Sequence, residues 1–132
     1  MRLGILGALV IAGLVVGGCN SVTDPSQNVT DTLSNTVQVG SYNFNSFNVG
    51  HAGEFSITLV SLTPPASVFV SVSFGIPTGA ACSPSQQPNT FSTPGHTVLS
   101  GQITSPGTYC VRVDDEGFFT VPETYTVQVS HP

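Results

Sequence analysis

The sequence predicts an all-β protein, folded as an antiparallel β-sandwich, and three observations carry that prediction. From Val37 onward apolar residues recur with a period of two rather than 3.6, in runs rich in Val, Ile, Phe, Tyr and Thr, which suit a pleated, half-buried surface. Clusters of Gly, Pro, Ser and Asn part these runs into six or seven short strands, the spacing of a sandwich. No segment after residue 18 shows a helical period.

In chain order, Val37 and Val39 alternate with polar neighbours, and Tyr42 to Val49 follows with Phe44 and Phe47 on opposite faces, which predicts a bulge or bend. Glu54 to Leu62 sets Phe55, Ile57 and Leu59 on one face and stops at Pro64-Pro65. Val68 to Phe74 sets Val68, Val70, Val72 and Phe74 on one face, with Phe69, Ser71 and Ser73 opposite. Thr97 to Ile103 is a weaker strand. Thr108 to Val113 directs Tyr109, Val111 and Val113 inward, hence Cys110 and Arg112 outward, and Thr124 to Val129 directs Tyr125, Val127 and Val129 inward. Gly75 to His96 is left as a connection too long to be idle, and such loops are functional or tied down.

Ahead of these strands, Arg2 is followed by a run from Leu3 to Gly18 without a charged side chain, the layout of an export signal. The run is short of the roughly 20 apolar residues of a spanning helix. Its end, Val16-Gly17-Gly18-Cys19, resembles the lipobox of bacterial lipoproteins: a branched aliphatic, two small residues, then a thiol that accepts a diacylglyceryl group. Val16 and Gly17 depart from the Leu and the Ala or Ser most common there. The resemblance implies that residues 1–18 are a lipoprotein signal peptide and that Cys19 is the lipidation site. The protein is then a bacterial cell-envelope lipoprotein, held to a membrane by its lipid at the outer membrane or cell surface. Asn20 after the Cys resembles the outer-membrane sorting class. Residues 19–36 accordingly read as the lipidated Cys and a polar tether, spanning roughly 20–25 Å if flexible, and residues 37–132 as the sandwich domain.

Only 7% of the residues are charged, and Arg2 and Arg112 are the only Lys or Arg. Without residues 1–18, Arg112 stands against seven carboxylates, a formal charge of −6. Such a chain has little with which to neutralise phosphates, which excludes nucleic acid and disfavours anionic lipid headgroups as partners. With Cys19 set aside, Cys82 and Cys110 remain, an even pair that reads as a disulfide in an exported protein. Because Cys110 faces away from the core, the bond is expected to pin the 75–96 segment to the outside or edge of the sheet, with Cα atoms about 4.4 to 6.8 Å apart.

Ser105-Pro106-Gly107-Thr108-Tyr109-Cys110-Val111-Arg112-Val113, then Tyr125-Thr126-Val127-Gln128-Val129, resembles the end of the bacterial pre-peptidase C-terminal domain, and Gly53-Glu54-Phe55-Ser56-Ile57-Thr58-Leu59 is similar to an earlier strand of that family. The resemblance covers roughly 41–129. It implies a jelly-roll-like sandwich that serves secreted enzymes as an accessory rather than a catalyst. Cys110 stands where the family usually has an aromatic, and the given chain has no peptidase domain before it.

Catalytic chemistry finds no foothold. His51, His96 and His131 are the only histidines; His131 lies next to the last residue, where order is not expected, and three-residue spacing puts His51 and Glu54 on opposite faces of a strand. G-x-S-x-G and H-E-x-x-H are absent. Asp114, Asp115 and Glu116, in a turn closed by Gly117, are the only carboxylate cluster that suggests calcium; no other cofactor is suggested. With no Trp, and Tyr109 and Tyr125 assigned inward, the aromatics left to meet a glycan or peptide are Tyr42, Phe91, Phe118 and Phe119. Two functions follow. One is a lipid-anchored, non-catalytic interaction or structural module; the other is a ligand-binding accessory protein using the 75–96 loop and the Phe118-Phe119 tip. A contiguous exposed aromatic patch distinguishes the second from the first.

Overall fold

Among the described residues, nine strands build two sheets: β1 (Val29–Val37), β2 (Tyr42–Val49), β3 (Gly53–Thr63), β4 (Val70–Thr78), β5 (Ala81–Pro84), β6 (Asn89–Ser92), β7 (His96–Ile103), β8 (Gly107–Asp115) and β9 (Glu123–His131). The computed structural model describes residues 27–132. Residues 1–18, Cys19 and the first part of the tether lie outside the described residues.

The four-stranded sheet has the order β1-β9-β3-β7; the five-stranded sheet runs β2-β8-β4-β5, with β6 also on β4. All pairings are antiparallel. Successive strands β1 to β4 alternate between the sheets and β9 returns beside β1, the connectivity of a jelly roll. The fold is therefore the predicted antiparallel sandwich.

Period-two alternation explains the core. Phe55, Ile57 and Leu59 of β3, Val70, Val72 and Phe74 of β4, Val111 and Val113 of β8, and Tyr125, Val127 and Val129 of β9 are buried together between the sheets, each set facing one way because side chains alternate along a strand. Fully burying one such side chain contributes about 1.5–3 kcal/mol, so these residues hold the sheets face to face. Phe55 stacks on Phe74 and Phe74 on Tyr109, with centroids 4.1 and 5.3 Å apart.

Four expectations are corrected. Residues 29–36 are not tether: they form β1, paired with β9 from Val29↔His131 to Val37↔Glu123, and Val39 falls in the following turn rather than in a strand. β2 carries no bulge, since its register with β8 runs unbroken from Tyr42↔Asp114 to Val49↔Gly107; Phe47 faces the core while Phe44 lies on the outer face, and register shifts fall in β3 and in the β4–β6 pairing instead. The 75–96 segment is not structureless, because β4 continues to Thr78, turns at Gly79 in the left-handed region, and returns as β5 and then β6 along the same edge. His131 is ordered: it is buried at the end of β9, its Nε2 3.1 Å from Asp31 Oδ2 of β1 and its ring 5.0 Å from Phe47.

Side-chain amides close the open flanks of the sandwich. On the β1–β2 side, Asn43 Nδ2 donates to Asn35 Oδ1 and to the Thr36 carbonyl, Asn35 Nδ2 to the Phe44 carbonyl, and Asn45 Nδ2 to the Ser34 carbonyl. Inside, Asn45 Oδ1 accepts the Tyr125 hydroxyl at 2.6 Å. On the opposite side, Asn89 Nδ2 donates to the Val98 carbonyl at 2.8 Å.

Candidate functional site

Sheet register brings three aromatic side chains to one end of the molecule. Val70 pairs with Asp115 of β8 and with Ser92 of β6, so Phe69 just before β4, Phe91 in β6 and Phe118 just after β8 meet. Phe69 lies edge-to-face with Phe91 at 5.7 Å and with Phe118 at 6.2 Å, the arrangement ring quadrupoles favour. They remain 42%, 72% and 50% exposed. Phe69 also forms one wall of a groove of about 700 Å³. Val60, Leu62, Pro65, Val68 and Pro94 supply most of its apolar lining, and none of its lining residues is charged. The aromatic cluster and the groove thus form one solvent-facing apolar surface.

One carboxylate shapes the tip. Asp115 Oδ1 accepts the N–H groups of Gly117, Phe118 and Phe119, and its Oδ2 accepts that of Gly40 at 2.7 Å. Gly117, at φ +90°, supplies the left-handed step that turns these amides back toward it. Burial opposes ionisation of Asp115, but the four donors outweigh it and hold its pKa below the ordinary carboxylate value. The turn throws Phe118 outward and Phe119 inward. Phe119 is only 6% exposed and belongs to the core, so its expected role as a ligand contact is withdrawn, while Phe118 and Phe91 remain exposed.

The same geometry separates the calcium candidates. Asp114 and Asp115 alternate across β8, and Asp114 is engaged by Arg112, whose Nε donates to both of its oxygens at 3.0 and 2.9 Å. Asp115 is spent on backbone amides, and Glu116 is exposed. Among the described residues, no three His, Cys, Asp or Glu side chains gather as metal ligands. Arg112 also lies 3.7 Å over the Tyr42 ring, so that face of Tyr42 is covered by the guanidinium.

Cys82 and Cys110 are bonded, with Cα atoms 6.0 Å apart. Val111 and Val113 face the core and Tyr109 packs half-buried against it; Cys110, on the other face, is fully buried and stands outside that core. The bond spans β4, because Gly75 pairs with Cys110 on one side and Pro84 on the other. The β4–β5 hairpin must therefore curl over the outer face, and Gly75 permits it: a Cβ there would fall into the Ser83 carbonyl.

Sequence reasoning missed Phe69 and the groove. Phe69 falls on the polar face of its strand beside Ser71 and Ser73, and a lone Phe on such a face was the available signal. The groove is lined by residues 60–63 and 65–69 and closed by Thr93 and Pro94, and nothing local in the sequence shows that these two parts meet. A scan of family models finds none that matches the chain, and a search of curated proteins finds no matching relative.

Proposed function

We propose that this chain is a lipid-anchored, non-catalytic protein of the bacterial cell envelope whose sandwich binds a ligand with its aromatic tip and groove. The observation that carries the reading is the contiguous, exposed Phe69-Phe91-Phe118 cluster opening into the uncharged groove. A purely structural module has no use for three solvent-facing rings in contact, whereas a ligand that covers them recovers apolar burial of about 25 cal/mol per Å². Export is supported by the Cys82–Cys110 bond, which belongs to an oxidising compartment. The anchor rests on the lipobox-like Val16 to Cys19, and the accessory role on the likeness to pre-peptidase C-terminal domains.

The test is capture from the native envelope with the intact protein as bait, beside a variant with Phe69→Ala, Phe91→Ala and Phe118→Ala. The reading expects a component held by the parent and lost by the variant; equal retention overturns it. For the anchor, Cys19→Ala is expected to yield uncleaved precursor or release to the soluble fraction, and mature-sized mutant protein in the membrane fraction overturns that part.

A further inference from the structure

The inner strand β3 of the four-stranded sheet ends in residues whose backbone is paired on one side only. β7 begins at His96 opposite Leu59, and the Gly95 N–H donates to the Leu59 carbonyl at 2.7 Å. Pro94 comes next and has no N–H with which to extend the ladder. Beyond Leu59 the register shifts, and Ser61, Leu62 and Thr63 pair with β9 alone, opposite Thr126, Tyr125 and Thr124. Their free side opens into the groove, whose other walls are the Pro65–Phe69 connection and Thr93-Pro94. The place a longer β7 would fill is thus an apolar trough with a sheet edge along it.

We propose that this trough takes an extended peptide, apolar at alternate positions and basic at its ends, which adds as a strand to the open Ser61–Thr63 edge. The proposal rests on the ligand-binding reading of the tip and names the ligand. Strand addition satisfies the outward N–H and C=O groups of the edge and sends every second side chain of the peptide to one face, here toward Leu62, Pro65, Val68 and Phe69. Charge fixes the ends. The described residues hold six carboxylates and one Arg, Arg112, whose guanidinium Asp114 already engages. The described residues thus carry a net negative charge, so a basic flank is attracted and an acidic one repelled. A bilayer offers no backbone groups to a sheet edge, and a sugar would set hydroxyls against apolar walls.

The intact, isotope-labelled protein is titrated with the capped peptide KVTVTVK and with two analogues N-methylated at alternate residues, one for each peptide edge. The parent peptide is expected to shift the signals of Val60, Leu62, Val68 and Phe69 and to slow amide exchange within Ser61–Thr63. Methylation of the pairing edge is expected to weaken binding about tenfold or more, the worth of about one hydrogen bond, and methylation of the other edge to leave it unchanged. If both analogues bind as well as the parent while Phe69 and Phe118 still shift, strand addition is overturned and the ligand-binding reading stands. If phosphatidylcholine vesicles or a chitin oligomer shift the tip and no peptide does, the ligand class is overturned. If none of these probes moves the tip, both the proposal and the reading beneath it fail.

Discussion

The β4–β5 hairpin and the β8–β9 loop leave the five-stranded sheet at opposite ends and are held by opposite means. The hairpin is tied covalently, by Cys82 to Cys110 across β4, over a glycine that alone lets it lie flat. The loop is tied by one carboxylate, Asp115, accepting four backbone N–H groups. A covalent tie ignores pH and yields to reductant; a carboxylate tie ignores reductant and yields to acid. The scaffold and the aromatic tip therefore fail under different conditions, and each can be perturbed without the other.

The largest expected effect is loss of the covalent tie. Replacing both Cys82 and Cys110 by Ser is expected to cost about 3.5 kcal/mol in the chain-entropy account of a loop of this separation, read as a fall in denaturant midpoint that is the same at pH 4 and pH 7. A fall that depends strongly on pH would erase the distinction drawn above. Gly75→Ala attacks the same hairpin through packing and is expected to cost about 2–3 kcal/mol, with the added methyl displacing the Ser83 carbonyl; a neutral result would mean that the hairpin does not lie over the sheet.

Asp115→Ala comes next, at about 2 kcal/mol, concentrated in the tip and visible as lost exchange protection at Gly117, Phe118 and Phe119. Since the folded pKa of Asp115 lies below its ordinary value, its contribution is fully present above about pH 4 and disappears as pH falls through the folded value. The parent protein should thus loosen at the tip in acid while the hairpin stays protected. Uniform loosening of both regions would count against separate ties.

Glu123, at the other end of the same loop, gives the smallest effect and the opposite sign. It is buried at the start of β9 with Oε2 lacking a hydrogen-bond partner, and burial raises its pKa. Its stabilising contribution belongs to the protonated form, present below the ordinary carboxylate pKa and lost as pH rises through the raised folded value. Glu123→Gln is expected to gain roughly 1 kcal/mol at pH 7 and nothing in acid. Destabilisation at pH 7 would show that the ionised carboxylate has a partner.

The parts of the fold legible in the sequence are those whose inward positions are apolar. β3, β4, β8 and β9 show their facing directly, and with it the outward turn of Cys110 and the disulfide. β1 has the same period, but its more inward positions 31, 33, 35 and 37 hold Asp, Leu, Asn and Val. Asp31 meets His131, and Asn35 meets Asn43 and the Phe44 carbonyl, so the strand is buried through polar pairs that only the assembled partner supplies. Composition alone makes such a segment resemble a linker. The site was half legible for a similar reason. Phe91 and Phe118 stood in turn-rich surroundings, but Phe118 and Phe119 are adjacent and identical, and only the amides gathered by Asp115 decide which ring faces water.

The pairing of β1 with β9 also sets how the molecule bears force. Val29 enters beside His131, at the pole opposite Phe118. A pull on the chain before Val29, resisted by a ligand at the aromatic tip, runs along the axis of β1. Antiparallel hydrogen bonds lie across that axis, so all nine register pairs from Val29 to Val37 are loaded together in shear rather than peeled apart in turn. Under such a pull, the strand that most resembles a slack leash in the sequence is the element that would carry the tension between the two poles.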